Sequence, residues 1–467
     1  MDRELMQQVV DLARRYHERV PTEPVFPRVT VEELRQALGG PLPEKGAAAS
    51  DVVAHLARGA EKGLVGSTGP RYFGFVIGGS LPVTTAADWL AVTWDQNACL
   101  FATSPAASVV EEVAAGWLRE LFGLPAKTSV GFVTGGGTAN FSAMVIARHA
   151  VLERAGWDVE KNGLQGAPPI HVVVSDESHA TMLAALRYAG LGANNVKRVP
   201  CDGQGRVIAA NVPAVLATCE GPTIVCCQAG NIATGSFDPF EEICEAAHER
   251  AAWVHVDGAF GLWAAVSDRL RPLVRGLERA DSWAVDAHKW LNVPYDSGIV
   301  LCAHPAAHRA ALGISAEYLV QTEEDRERDN FDWTPEFSRR ARGFAVYAAI
   351  QHLGRKGIAE LVDRCCARAR QMGDLLRGQS GVAVLNDVVL NQVLVRFHDS
   401  DEATRAVIDR VQREGVCWLG GTTWHGMAAM RISVSNWSTS ERDIEMSAES
   451  ILKAASAESA QSARRGR

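Results

Sequence analysis

Apolar residues at Leu5, Val9, Leu12, Ala13, Tyr16 and Val20, with acids and bases between them, recur at helical spacing and predict an amphipathic helix over residues 2–20. Residues 21–43 hold five prolines around a short helical piece at 30–38, a composition that runs over a surface as a connecting arm rather than building a core. From about residue 71 to residue 300 the pattern changes. Short β-branched runs at 130–133, 170–174, 223–227, 253–257, 282–286 and 298–302 alternate with alanine-rich helical stretches, which predicts βα units and an α/β fold around a mainly parallel sheet. A helical run begins at 343–353. Strand-like segments then follow at 382–385, 391–397 and 430–434, separated by helical ones, and predict a smaller α+β C-terminal domain. The expected organisation is an N-terminal helical arm (1–70), a large domain (71–345), a small domain (346–455) and a flexible tail (456–467), with no internal repeat.

Composition narrows the function more than the fold. With 467 residues, 47% hydrophobic and 22% charged, the chain has ample material for a large core. A net charge of -8 gives no electrostatic case for nucleic acid, so a small molecule is the expected partner. No stretch approaches the roughly 20 apolar residues that span a bilayer, and the N-terminus lacks a signal-peptide core. Asp2, Glu4, Asp11 and Glu18 dilute the basic face that a membrane-surface helix prefers, and docking on protein fits helix 2–20 better. The ten cysteines show neither a CxxC pair nor metal-ligand spacing, and read as reduced residues of a cytoplasmic protein that binds no metal.

In a parallel sheet the loops leaving the C-terminal strand ends share one edge, where ligands bind. After strand 130–133 comes Thr134-Gly135-Gly136-Gly137-Thr138-Ala139-Asn140 and then a helical run, so backbone amides and a helix N-terminus can face a phosphate. Taken alone, such a turn is as well explained as a tight connection; it matches neither the dinucleotide fingerprint nor a Walker loop. After strand 170–174, His179 brings an imidazole to the same edge, able to stack on an aromatic cofactor or simply to cap a helix. Strand 253–257 ends in Asp257, either an N-cap or an acid that keeps a pyridine nitrogen protonated. Strand 282–286 delivers Asp286-Ala287-His288-Lys289-Trp290. His-Lys is a common dipeptide, and a solvated lysine is its ordinary meaning. Together, however, a phosphate cradle, a stacking imidazole, an acid and an amine on successive strand ends are the parts that pyridoxal 5'-phosphate (PLP) requires.

These residues resemble the PLP-dependent group II amino acid decarboxylases, the family of aromatic amino acid, histidine, glutamate and diaminobutyrate decarboxylases. The matching stretches are Ser104-Pro105-Ala106, residues 134–140, Asp176 to His179, His255 to Ala259, Asp286 to Asp296 and Asn330 to Gly343; they lie in the family's order and span roughly residues 1–450. The resemblance implies fold type I with a mainly parallel seven-stranded central sheet, helices on both faces, and a homodimer with active sites at the subunit interface. It matches Lys289 to the Schiff-base lysine, Asp257 to the acid at the pyridine nitrogen, His179 to the ring-stacking histidine and Ala259 to the small residue under the ring. Gly136, Gly137 and His288 match phosphate contacts, and Thr138 in the same run counts with the cofactor-binding residues. Tyr318, ahead of the polar run 321–330, resembles the tyrosine of a mobile catalytic loop and is expected to return a proton to the substrate carbon; a buried aromatic is the plain alternative.

Some positions depart from the aromatic branch. Asp286 stands where that branch has asparagine near the phosphate, so either it turns away or a base neutralises it. Asn231 replaces a threonine that supports the ring substituent, and its amide is expected to serve there. The stretch 70–79 keeps an aromatic and apolar character, which makes Phe73, Phe75 and Val76 candidate substrate-pocket residues together with Ser338; Arg431 reads as structural. The expected activity is decarboxylation of an L-amino acid, aromatic or otherwise apolar, to the amine. The alternatives are oxidative aldehyde formation, aminotransfer or carbon-carbon cleavage on the same fold, and a PLP-binding protein without turnover.

Overall fold

The computed structural model describes residues 2–314 and 327–465, with side chains through residue 460. Tyr318 and most of the polar run after it lie outside the described residues. The chain divides into two compact units: Gly78–Ala369 with Asn386–Gln392, and Met1–Ile77 with Arg370–Leu385 and Val393–Arg467.

The larger unit is built on a seven-stranded sheet of β1 (Ser129–Val133), β2 (His171–Ser175), β3 (Val196–Val199), β4 (Thr223–Gln228), β5 (Trp253–Asp257), β6 (Ser282–Asp286) and β7 (Gly298–Cys302), in the order β1-β7-β6-β5-β4-β2-β3. Six strands run one way and β7 runs antiparallel to both its neighbours, with helices on both faces. The fold is therefore the expected α/β architecture. Strands β1, β4, β5, β6 and β7 are buried along their whole length, which is why they read as continuous apolar runs without alternation. The edge strand β3, Val-Lys-Arg-Val, was not expected; its two basic residues hide it, and charge is how exposed edges avoid unwanted pairing. The helix Gly136–Arg154 packs over β4 to β7 and brings its N-terminus to the edge where β1, β2, β4, β5 and β6 all end.

The smaller unit holds the antiparallel sheet β10-β11-β9-β8, formed by β8 (Val382–Val384), β9 (Gln392–Phe397), β10 (Gly420–Trp424) and β11 (Met427–Ser433). Strand β10, Gly-Gly-Thr-Thr-Trp, was masked in the sequence by its glycines. Residues 1–77 join the C-terminal segments in this unit instead of forming a separate arm. The reason is a set of contacts more than 300 residues apart in sequence: Arg71 Nε donates to the Val416 carbonyl at 2.8 Å, the Phe73 N–H donates to the Trp418 carbonyl at 2.7 Å, and Tyr72 stacks on Trp418 at 5.0 Å between centroids. The boundary expected at 345/346 falls inside the helical run Gly343–Leu376, and the helix Glu441–Arg465 continues through the stretch expected to fray.

At the far end of the large sheet from the ligand edge, Asp281 ties three elements. Its carboxylate accepts from the Val254 N–H at 2.7 Å, from His304 Nε2 at 2.7 Å and from His248 Nε2 at 3.2 Å. Burial opposes its ionisation, but these hydrogen bonds outweigh burial and hold the carboxyl at about 2. Since the folded value lies below the unfolded one, the stabilisation is complete above about pH 4 and is lost as pH falls through about 2. Asp281→Asn is expected to cost about 1–3 kcal/mol at neutral pH, and urea denaturation should show the gap from the parent closing as the pH is lowered from about 4 toward 2.

Candidate active site

Five strand ends deliver side chains to one cavity of about 260 Å³. The turn after β1 contributes Gly135, Gly136, Gly137 and Asn140; His179 and Thr181 follow β2; Gln228, Gly230 and Ile232 come from the end of β4. Asp257, Ala259 and Phe260 leave β5, and Asp286, His288 and Lys289 leave β6. Of the residues expected at the site, Lys289, Asp257, His179, Gly136, Gly137, Ala259 and His288 are thus brought together.

Lys289 sits in the short helix Ala287–Trp290, its side chain 19% exposed, with Nζ 3.0 Å from Asp286 Oδ2. The other Asp286 oxygen accepts the Gly136 N–H and lies 3.4 Å from His288 Nε2. Asp286 therefore faces the cradle, and of the two expected outcomes the neutralising base is the one observed. The Ser297 N–H donates to His288 Nδ1 at 3.1 Å, so the ring proton is on Nε2, toward Asp286. Burial lowers the His288 pKa, Asp286 opposes that shift and Lys289 adds to it, leaving the imidazole neutral at pH 7.

Asp257 is buried at the end of β5, where one oxygen accepts the Ala259 N–H at 3.2 Å. His179 lines the cavity, and its Nδ1 caps the helix Ala180–Tyr188 by accepting the Thr181 N–H at 3.3 Å, as the helix-cap reading expects. Below Asp257, on the same face of β5, His255 is fully buried and pushed down to about 3 by burial, hence neutral. It belongs to a directed chain. Trp253 Nε1 donates to Ser282 Oγ at 2.9 Å, Ser282 Oγ lies 3.0 Å from His255 Nδ1, and His255 Nε2 lies 2.9 Å from Asn140 Oδ1. The chain fixes the Asn140 carbonyl and leaves its amide nitrogen without a partner.

Three of the expected residues are not among those lining this cavity. Asn231 does not line the cavity; its Oδ1 is taken by the N–H groups of Ala233 at 2.9 Å and Thr234 at 3.2 Å within its own turn. Thr138 turns back to pair with the Thr134 hydroxyl at 2.7 Å. Ser338 is exposed and is not among the cavity residues. Phe73, Phe75 and Val76 belong to the smaller unit, where Phe73 and Val76 are buried and Phe75, 60% exposed, stacks on Trp418. Asn140 and Gln228 were missed. The predicted strand 223–227 stopped one residue short of Gln228, and reading it as a strand end would have found it.

The residues fit a phosphorylated pyridine aldehyde. A Cβ at Gly137 would meet open space, one at Gly136 would stand 2.7 Å from Asp286 Oδ2, and two buried amide nitrogens, Asn140 Nδ2 and Gln228 Nε2, have no partner. With an amine, an acid and an imidazole on the same wall, this donor set defines a PLP-enzyme class of site. The comparisons with known proteins agree. Residues 32–398 match the pyridoxal-dependent decarboxylase conserved domain. The chain is 27% identical to tryptophan decarboxylase 1 of Oryza sativa subsp. japonica, covering 97% of this chain and 93% of that one, and 26% identical to the aromatic-L-amino-acid decarboxylase of Bacillus atrophaeus, covering 88% and 85%. A crystal structure of Oryza sativa TDC with PLP and tryptamine superposes with a TM-score of 0.90 at 25% identity over 97% of each chain. The chain belongs to the pyridoxal-dependent decarboxylase family, PLP-dependent carboxy-lyases of amino acids. Gly136→Ala should force the Asp286 carboxylate out of the cradle, an overpacking cost of about 1–3 kcal/mol. Titration of the apoprotein with PLP should then show affinity reduced about ten-fold or more.

Proposed function

We propose that the protein decarboxylates an L-amino acid with an aromatic or other apolar side chain, releasing carbon dioxide and the amine. The observation that carries the reading is the placement of the Lys289 amine and the Asp257 carboxylate in one cavity, between a glycine cradle and His179. Bound PLP supplies an aldehyde that captures amines and a ring that accepts the electron pair of the breaking carbon-carbon bond. Lys289 would provide the amine that holds the cofactor's aldehyde. Asp257, buried with an N–H already on one oxygen, keeps the ring nitrogen protonated and so makes the ring a sink. His179 would hold the ring, Ala259 would leave room for it, and Gly136, Gly137 and His288 would hold the phosphate. Tyr318 returns the proton to the substrate α-carbon after carbon dioxide has left.

Ile232, Ala259 and Phe260 give the cavity an apolar wall, which supports an apolar substrate. Relatives named for tryptophan and aromatic amino acids favour the same class, and those named for acidic amino acids make the comparison of substrates in the test below necessary. A homodimer is supported by apolar surface exposed on the single chain: Trp89, Leu90, Val92 and Trp94 on the helix Pro82–Trp94, and Met6, Val9 and Val10 on the helix Arg3–Arg19, which has no buried residue. Cysteines that form no disulfide suit the cytoplasm, and no described helix is long and apolar enough to cross a membrane.

The test is to supply the PLP-loaded protein with aromatic, acidic and diamino L-amino acids separately and to measure carbon dioxide and amine. Aromatic substrates should give both in equal amounts. Turnover confined to acidic or diamino substrates would reject the substrate class, and hydrogen peroxide with ammonia in place of amine would reject simple decarboxylation. Lys289→Ala should lose the visible absorption that borohydride reduction bleaches in the parent, and a reducible band surviving in the variant would move the linkage elsewhere. Tyr318→Phe should shift products from amine toward aldehyde; an unchanged ratio would remove Tyr318 from the proton step.

A further inference from the structure

We propose that Gln228 donates a hydrogen bond to the phenolic oxygen of bound PLP, the role that the sequence pattern assigned to Asn231. The inference rests on the cofactor reading above and adds a positioning contact to it.

The argument begins with strand order. Gln228 is the register partner of Asp257 on the neighbouring strand, so the two side chains leave the sheet side by side on one face, and both line the cavity. On the other side of Asp257 lies β6, with His288, and beyond β7 the cradle amide of Gly136 after β1. With the ring nitrogen at Asp257 and the phosphate toward β6 and β1, the ring edge turned to β4 is the edge opposite the phosphate arm. That edge carries a methyl group and the phenolic oxygen, and of the two only the oxygen accepts a hydrogen bond.

Gln228 is built to meet it. Asp238 clasps its backbone from both sides, accepting the Gln228 N–H at 2.7 Å and donating its own N–H to the Gln228 carbonyl at 3.1 Å. The side chain is 5% exposed, and Nε2 is buried without a partner. A buried donor left unmet is costly, and a ligand acceptor removes that cost. Asn231 is held elsewhere: its Oδ1 accepts the Ala233 and Thr234 N–H groups, which fixes the side chain in its own turn and off the cavity wall. Because the Gln228 amide is neutral, it can hold an anionic oxygen without competing with Asp257 for a charge on the ring.

The test compares the apoprotein's affinity for PLP with that for 3-deoxypyridoxal 5'-phosphate, which lacks only that oxygen. What the missing hydroxyl does to the aldehyde chemistry is the same in parent and variant, so it cancels in the ratio of the two preferences. Gln228→Leu should reduce the preference for PLP by about ten-fold or more. Gln228→Glu, nearly the same shape, should reduce it further, because a carboxylate then faces an anionic oxygen; melting temperatures establish that each variant is folded. Unchanged preference in a folded Leu or Glu variant overturns the proposal, as does a loss of preference in Asn231→Ala with none in the Gln228 variants. A parent that takes up no PLP would sink the cofactor reading itself, whereas uptake with unaltered preferences sinks only the role of Gln228.

Discussion

Asp286 ends β6 almost fully buried, with its two oxygens shared among the Gly136 N–H, Lys289 Nζ and His288 Nε2. An isolated carboxylate at that depth would cost several kcal/mol, so these neighbours are the condition for its being there. The bond to Gly136 links the end of β6 to the start of the helix that follows β1, across the antiparallel β7 that separates the two strands. With His288 neutral, the Asp286 and Lys289 charges cancel. What remains at the cradle to favour an anion is the N-terminus of the helix Gly136–Arg154. The Lys289 amine and the Gly136 cradle are thus electrostatically linked through one carboxylate.

Deeper in the same sheet the solution is different. Trp253, Ser282, His255 and Asn140 form a chain of neutral groups, each satisfied by the next, and burial keeps His255 uncharged. This part of the sheet thus carries dipoles where its ligand edge carries ions. A single charge inserted into the chain would have no counter-ion. Because it carries none, the chain transmits orientation alone: it sets which end of the Asn140 amide faces the cavity.

The fold and the charged part of the site were legible because both follow from local pattern. Fully buried parallel strands read as apolar runs, and Asp257, His179 and Lys289 stand where those runs stop. What escaped had physical causes of two kinds. Strands β3 and β10 carry basic residues or glycine in place of apolar ones, and residues 1–77 are tied to partners such as Val416 and Trp418 that no window of sequence contains. The orientation of a short polar side chain is the second kind. Asn231 and Thr138 have the right chemistry for ligand contact, but each has a backbone or hydroxyl partner within its own turn, and that local bond wins.

The contrast between satisfied and unsatisfied groups also says which parts of the cavity are complete in the protein alone. Lys289, Asp286 and His288 compensate one another, so the ion cluster can hold its geometry before any ligand arrives. The amide nitrogens of Asn140 and Gln228 are buried at 1% and 5% exposure and compensated by nothing in the protein. Leaving such donors unmet costs about 1–3 kcal/mol each, a cost a ligand acceptor can repay and an empty cavity cannot. The ion cluster is thus organised by the protein, while the neutral amides are groups whose energy improves only with a ligand in place. Occupancy of this cavity by an acceptor-bearing ligand and the stability of the protein are therefore coupled through these two amides, since only a bound form satisfies them.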